Sequence, residues 1–452
     1  MPLAVMYLIV MLAVILVWFL FFKRPVYEGV LLSLLVLLII TGSWANVGDY
    51  LYKGMNSTLL FSMIVFIAMS QLLKITGILD NCINIILALL GRITGGAGYC
   101  AVVASCFMGA FSGSGPGNVM AVGTITIPAM KKSGYPAELA ANIQGASACL
   151  GNMIPPSANI VGALGAFMAV YPDSDLTSGK FWMIMWALSA YFIIQRLLMV
   201  FIFCKAYHVR PMAKEDIPNL KEVFREGWKG LLLPVIIILP FILDSALNAS
   251  FFTSRLGAAG AKNFSSSILL FTAGIASFYA IMVSKDKKAR SITVMADTFA
   301  KGIKGLVPTV ATCIFGYIIG ALFSGIGVAA ELETFIVSRH LGKFGMAFMI
   351  SILTCFLGMV IPGSSLTVMF GPLFITVMAA TGINPLLAAA MLPCICGAMG
   401  NITPPFALCM YAGMGIAESD FGKTIKNDLW WVLGQFVMQM VILVGILPVI
   451  GI

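Results

Sequence analysis

The sequence predicts an all-α polytopic membrane protein of two oppositely oriented halves, each with five transmembrane helices and one re-entrant helical hairpin. Three observations predict it. The 452 residues are 60% hydrophobic and only 10% charged, with a mean hydropathy of +1.01, whereas soluble domains are about a quarter charged. Many stretches exceed the ~18 uncharged apolar residues that mark a spanning helix, and the alternating segments of a membrane barrel are absent. The heptapeptide GNMIPPS at Gly151–Ser157 returns as GNITPPF at Gly400–Phe406, each within an apolar run.

Residues 1–22 form the first span. It lacks a basic n-region and a small-residue cleavage signature, and Lys23 and Arg24 follow it, so it reads as a retained helix. The first half, 23–206, supplies spans 26–42 and 58–73, a flanked segment 78–91, a span 137–170 carrying the first Pro pair, and a span 181–204. A basic loop, 207–229, leads to the second half, 230–452. That half has spans 230–247, 265–284 and 305–323, a segment 331–343, a span 386–417 carrying the second Pro pair, and a span 428–451. The segments 78–91 and 331–343 read as interfacial or ordinary connecting helices. Apolar regions 98–130 and 345–378 are broken near their middles by Gly, Ser and Pro, as in hairpins that enter and leave on one side.

Charge sets the orientation. Lys205, Arg210, Lys214, Lys221, Arg225 and Lys229 crowd one loop. Lys285, Lys287, Lys288, Arg290, Lys301 and Lys304 crowd another, between residues 285 and 304. The positive-inside rule makes both cytoplasmic and both termini external. The +9 net charge then needs no nucleic acid to explain it. Hairpin one exits through AMKKSGYP and hairpin two through the uncharged MAATGINP, as opposite entry sides require.

A shift of 249 residues superposes Pro136 on Pro385, Gly151 on Gly400, Asn152 on Asn401, and Pro155 and Pro156 on Pro404 and Pro405. With an odd number of spans per half, the second half inserts upside down. Inverted repeats of this kind build secondary transporters, with a midplane site at the repeat interface.

A Pro pair removes backbone donors and opens the helix upstream. Carbonyls freed there, the Asn152 and Asn401 amides and nearby hydroxyls form a ligand set for a hard cation such as Na⁺, because unpaired carbonyls in hydrocarbon are costly. The helix resuming after each Pro pair offers its N-terminus to an anion. The alternative is a proline kink that only shapes packing. Hairpin tips SGSGPGN (Ser112–Asn118) and PGSSLT (Pro362–Thr367) add glycines that permit close approach and neutral oxygens. Ser and Gly also serve helix packing. The cation-site candidates are Ser112, Gly113, Ser114, Asn118, Gly151, Asn152, Gly363, Ser364, Ser365, Thr367, Gly400, Asn401 and Thr403. The substrate-site candidates are Ser114, Asn152, Ser157, Ser365, Asn401 and Thr403.

Asp80, Asp173, Asp175, Asp244, Glu331, Glu333, Glu418 and Asp420 are expected near span ends or in loops, which leaves a carboxylate proton relay without a candidate. Arg196 is expected near the cytoplasmic end of its span, and His208 and His340 in surface loops. The ten cysteines match no zinc or disulfide spacing. No nucleophile–base pair with a buried His and no GxxxxGK[ST] motif is present, so an enzyme is not expected and no cofactor beyond Na⁺ is implied.

The GAFSGS tip, IPAMKKSGY and GNMIPPS, with TGINPLLAAAMLPCICGAMGNITPPFALCMYAG in the second half, resemble the large membrane subunit of tripartite ATP-independent periplasmic (TRAP) transporters, DctM type, over roughly residues 50–452. The resemblance implies an elevator-type carrier of the ion transporter superfamily in the bacterial or archaeal inner membrane. Its members import organic acids, C4-dicarboxylates among them, by sodium symport. It also implies two partners, a small four-helix membrane subunit and a periplasmic substrate-binding protein. Two positions depart from the family: Asn118 stands where Asp is frequent, and the second tip lacks an acid near Pro362. A single-component sodium-coupled carrier of the same fold, or an ion channel, are the alternatives.

Overall fold

A computed structural model describes residues 2–56, 58–112, 114–155, 157–338, 341–359, 361–405 and 407–452. The first half comprises α1 (Leu3–Leu20), α2 (Val26–Ile40), α3 (Val47–Met55), α4 (Thr58–Ile75), α5 (Ile78–Leu90), α6 (Gly96–Ser112), α7 (Gly115–Lys132), α8 (Ala137–Leu150), α9 (Ala158–Val170) and α10 (Ser178–Ala206). The connector contains α11 (Leu220–Gly227). The second half comprises α12 (Leu233–Leu247), α13 (Thr253–Val283), α14 (Ile292–Gly325), α15 (Val328–Ser338), α16 (Lys343–Gly358), α17 (Gly363–Ala380), α18 (Pro385–Ile395), α19 (Leu408–Ala417) and α20 (Phe421–Val444). No strand occurs among the described residues, and six helices are long and apolar enough to cross a bilayer, or seven if α8 and α9 form one bent span.

The centre is made of small residues. Every residue from Leu139 to Leu150 in α8, from Ala158 to Phe167 in α9 and from Leu387 to Ile395 in α18 is buried. A helix apolar all round must sit inside other helices, and the Ala, Gly and Ser of these three let backbones approach closely. α6 pairs with α7, and both lie on α8; α17 lies on α18. The second arm of each hairpin also packs on the broken helix of the other half, α7 on α19 and α17 on α9. α8 packs on α19 and α18 on α9, so the halves interlock at their breaks. α1–α4 and α12–α14 pack mainly among themselves outside this core.

Three contacts gather the charged turns onto one face. Lys131 Nζ donates to the Ala417 carbonyl at 2.9 Å, Lys132 pairs with Asp216 of the connector, and Lys423 lies 3.9 Å from Glu138. Elsewhere the end of α9 and the start of α18 meet, where Phe167, residues 170–174 and residues 384–386 line a cavity of about 510 Å³. Glu331 accepts from the first two described amides of α1, Leu3 N at 2.7 Å and Ala4 N at 3.1 Å, which satisfies N–H groups that a helix start leaves open.

Two elements differ from expectation. α14 begins at Ile292, so Lys301 and Lys304 belong to a helix and the basic loop is shorter than 285–304. The region before residue 265 is helical too: α13 starts at Thr253 and kinks at Gly257, whose φ of 72° no other residue adopts readily.

Candidate functional site

The first break is short. α8 ends at Leu150, a 3₁₀ turn covers Gly151–Met153, and α9 resumes at Ala158 with its axis turned by 44°. Ser157 caps α9, its Oγ accepting from Asn159 N at 3.2 Å. Ser189 of α10 donates to the freed Met153 carbonyl at 2.7 Å. Hairpin one is pressed onto this turn: a Cβ on Gly151 would stand 2.1 Å from Gly109 Cα. Asn118, fully buried, ties the junction together. Its Nδ2 donates to Ser105 O at 2.9 Å and to Ala148 O at 3.1 Å, the latter a carbonyl that also accepts from Gly151 N at the end of α8.

The second break is longer than its matched sequence implies. Residues 396–405 and 407 are non-helical, so the chain leaves the helix before GNITPPF begins. Pro393 withdraws a donor in the last turn of α18, and Gly397 takes a φ of 153°. The aligned positions in the first half are Gln144 and Ala148, both helical. The tip of hairpin two fills the opening: a Cβ on Gly363 would lie 2.0 Å from Cys396 O. The glycine contact of the first half recurs at the same offset, for a Cβ on Gly400 would meet Gly358 C and O at 2.1 Å. α19 starts after Ala407, which has no side-chain oxygen to cap it, so its positive end is more open than that of α9.

The candidates divide by what their polar atoms do. Asn118 Oδ1, Asn152 Oδ1, Ser365 Oγ and Thr367 Oγ1 are buried without a hydrogen-bond partner, the last beside the Cys396 thiol. Asn401 is 7% exposed, and a Cβ on Gly115 of the opposite hairpin would lie 3.7 Å from its Nδ2. Thr403 is engaged, donating to Met399 O at 2.7 Å, and Ser114 caps α7 from an exposed position. Ser364 is half-buried. Pro155 lies in the first break, and Pro404 and Pro405 in the second, joined by a cis peptide. Gly113, Pro156, His340 and the Ser112 side chain lie outside the described residues.

The charged residues depart from expectation. Asp428 is 4% exposed on α20, with the Asn142 amide of α8 beside its carboxylate but at no good hydrogen-bond geometry to either oxygen. Asp244 is fully buried and accepts from Ser265 Oγ at 2.7 Å and Asn248 Nδ2 at 3.0 Å. Buried acids therefore do exist. Arg196 is fully buried within α10 rather than near its end. It donates to Gln195 Oε1 at 2.6 Å and Gln435 Oε1 at 2.8 Å, with its guanidinium 5.5 Å from the Trp431 ring centre. Gln435 Nε2 passes the link on to Cys394 O at 3.0 Å, in the last turn of α18. A cation near the negative end of a half-helix is favourably placed. Asn159 Oδ1 and Ser147 Oγ, also buried and unpartnered, are further neutral oxygens beside break one; their polar types within an apolar run were the available signal.

Taken together, the breaks and tips present buried neutral oxygens and two helix starts without a side-chain cap, those of α17 and α19, ligands suited to a hard cation and an anion. The large permease protein DctM of the C4-dicarboxylate TRAP transporter from Rhodobacter capsulatus is 24% identical over 89% of this chain and 88% of its own length. The sialic acid TRAP transporter large permease protein SiaM from Vibrio cholerae is 24% identical over 94% and 93%. The structure of Neisseria gonorrhoeae MtrF, described as illuminating a class of antimetabolite efflux pumps, shares the fold with a TM-score of 0.65 at 12% identity, over 90% of this chain and 84% of that one. Residues 3–450 match the family "Tripartite ATP-independent periplasmic transporter, DctM component", and the chain belongs to it: it is a large permease subunit of the TRAP transporter type.

Proposed function

We propose that this permease imports a small organic acid across the inner membrane by sodium symport, receiving it from a periplasmic binding protein and working beside a small four-helix membrane subunit. The observation that carries the sodium reading is the set of four buried, unpartnered neutral oxygens on Asn118, Asn152, Ser365 and Thr367. A buried polar atom left without a partner costs about 1–3 kcal/mol, and a sodium ion of the transport cycle satisfies such oxygens. The relatives named for C4-dicarboxylate and sialic acid support a carboxylate substrate. The word "tripartite" in the family's name supports two partners.

The glycine contacts Gly109–Gly151 and Gly358–Gly400, at the same 249-residue offset as the Pro pairs, support an inverted repeat. Together with the interlocked hairpins and the outer helices that pack mainly among themselves, they support an elevator motion of a core against a scaffold, with both termini external. A second reading has one observation behind it: buried Asp428 favours proton coupling. Uptake of labelled succinate and sialate into proteoliposomes, with the cognate binding protein and small subunit, separates the readings. Sodium symport requires an inward sodium gradient, and Asn152→Ala and Asn401→Ala each lower the rate at least tenfold. Uptake that persists without sodium and without the binding protein refutes it.

A further inference from the structure

A second site lies on the face that carries the connector. α5 and α11 enclose an open groove of about 1180 Å³. Glycines hold its walls close: a Cβ on Gly227 would stand 2.8 Å from Asn81 Cβ, and one on Gly230 would stand 3.0 Å from Ile78 O. Met212 N donates to Gly91 O at 3.3 Å and closes the end. The wall is apolar and incompletely covered, with Leu89 56% and Phe224 50% exposed beside half-buried Ile217. Arg92, Lys214 and Lys221 stand at the mouth, all exposed and none in an ion pair among the described residues. Two of the four connector acids are engaged elsewhere, Asp216 by Lys132 and Glu226 by Lys285.

We infer that this groove binds an anionic phospholipid, its phosphate held by Arg92, Lys214 and Lys221 and an acyl chain lying along Leu89, Ile217 and Phe224. The three cations and the apolar wall complement the headgroup and the tail of such a lipid. Basic pockets at membrane-facing turns recognise anionic headgroups. A free phosphate would use the cations but not the groove. The one uncharged polar side chain on the exposed wall, Asn219, already accepts from Lys221 N at 3.1 Å, which leaves the wall to an acyl chain. The bound lipid ties the connector between the halves to α5, the helix that leads into hairpin one.

The test uses the full chain purified in a neutral detergent. Its thermal unfolding and native mass spectrum are followed with phosphatidylglycerol, with phosphatidylcholine of the same acyl chains, and with inorganic phosphate. Phosphatidylglycerol should raise the unfolding temperature by several degrees and leave a one-to-one adduct, while the other two do neither. The Arg92→Gln, Lys214→Gln, Lys221→Gln triple variant should weaken the effect at least tenfold, and Lys221→Gln alone at least twofold. Leu89→Ser should weaken it without creating a response to phosphate. Equal stabilisation by phosphatidylcholine, equal stabilisation by phosphate, an undiminished effect in the variants, or displacement of the lipid by the small membrane subunit overturns the assignment.

Discussion

Replacing Gly400 by Ala tests the packing on which the second break depends. The added Cβ would lie 2.1 Å from both C and O of Gly358, whereas carbon contacts settle near 3.5–4.0 Å. The chains must therefore separate by roughly 1.5 Å. Both partners are backbone, so no side chain can swing aside, and overpacking of this kind costs about 1–3 kcal/mol or more. Gly400 lies in a turn, so Ala gains little there from helix propensity. Gly151→Ala meets Gly109 Cα at 2.1 Å and should behave alike. Gly358→Ala, whose nearest neighbour would be 3.3 Å away, should cost less. Gly415 in α19 has nothing within 4 Å, and Gly415→Ala should stabilise by about 0.5–1 kcal/mol. The assay is thermal unfolding of the four variants in one detergent, followed by uptake in proteoliposomes. Gly400→Ala and Gly151→Ala should unfold below the wild type and Gly415→Ala above it. A wild-type unfolding temperature in Gly400→Ala, or an equal loss in Gly415→Ala, refutes the close approach.

Asn118→Asp replaces the Nδ2 that serves Ser105 O and Ala148 O with an acceptor facing two acceptors. The loss is at least about 2 kcal/mol from two hydrogen bonds, and sodium should recover more stability in this variant than in wild type; equal unfolding temperatures for Asn118→Asp in sodium and choline chloride would count against it. Asp428→Asn removes a buried, unpartnered carboxylate, so stability should hold or rise because its desolvation cost disappears. Sodium-driven uptake should stay within about threefold, less than one tenfold step, with the pH profile unmoved; loss of uptake would establish Asp428 as a proton carrier.

The sequence made the breaks and hairpins legible because Pro and Gly punctuate apolar runs, and punctuation is local. It left the polar seam illegible because that depends on distant partners: Arg196 meets Gln435 across 239 residues, and nothing near either residue announces the other. Asp428 escaped for a related reason, since the amide beside it, Asn142, lies on α8 far back in the chain. The apparent equality of the two Pro motifs concealed a difference that was legible nearby, in Pro393 and Gly397 set against Gln144 and Ala148. With those two residues present, 396–405 and 407 are non-helical, whereas the first half leaves its α-helix only at 151–155 and 157. In hydrocarbon such backbone persists only when buried in protein or lining a polar site. The first break is closed by the Ser157 cap, by Ser189 and by Asn118. In the second, Cys409 N donates to Asn401 O at 2.9 Å, yet Ala407 leaves the start of α19 without a side-chain cap. An anion therefore finds its stronger attraction at break two, and the two halves, though matched in sequence, are unequal in what they offer a ligand.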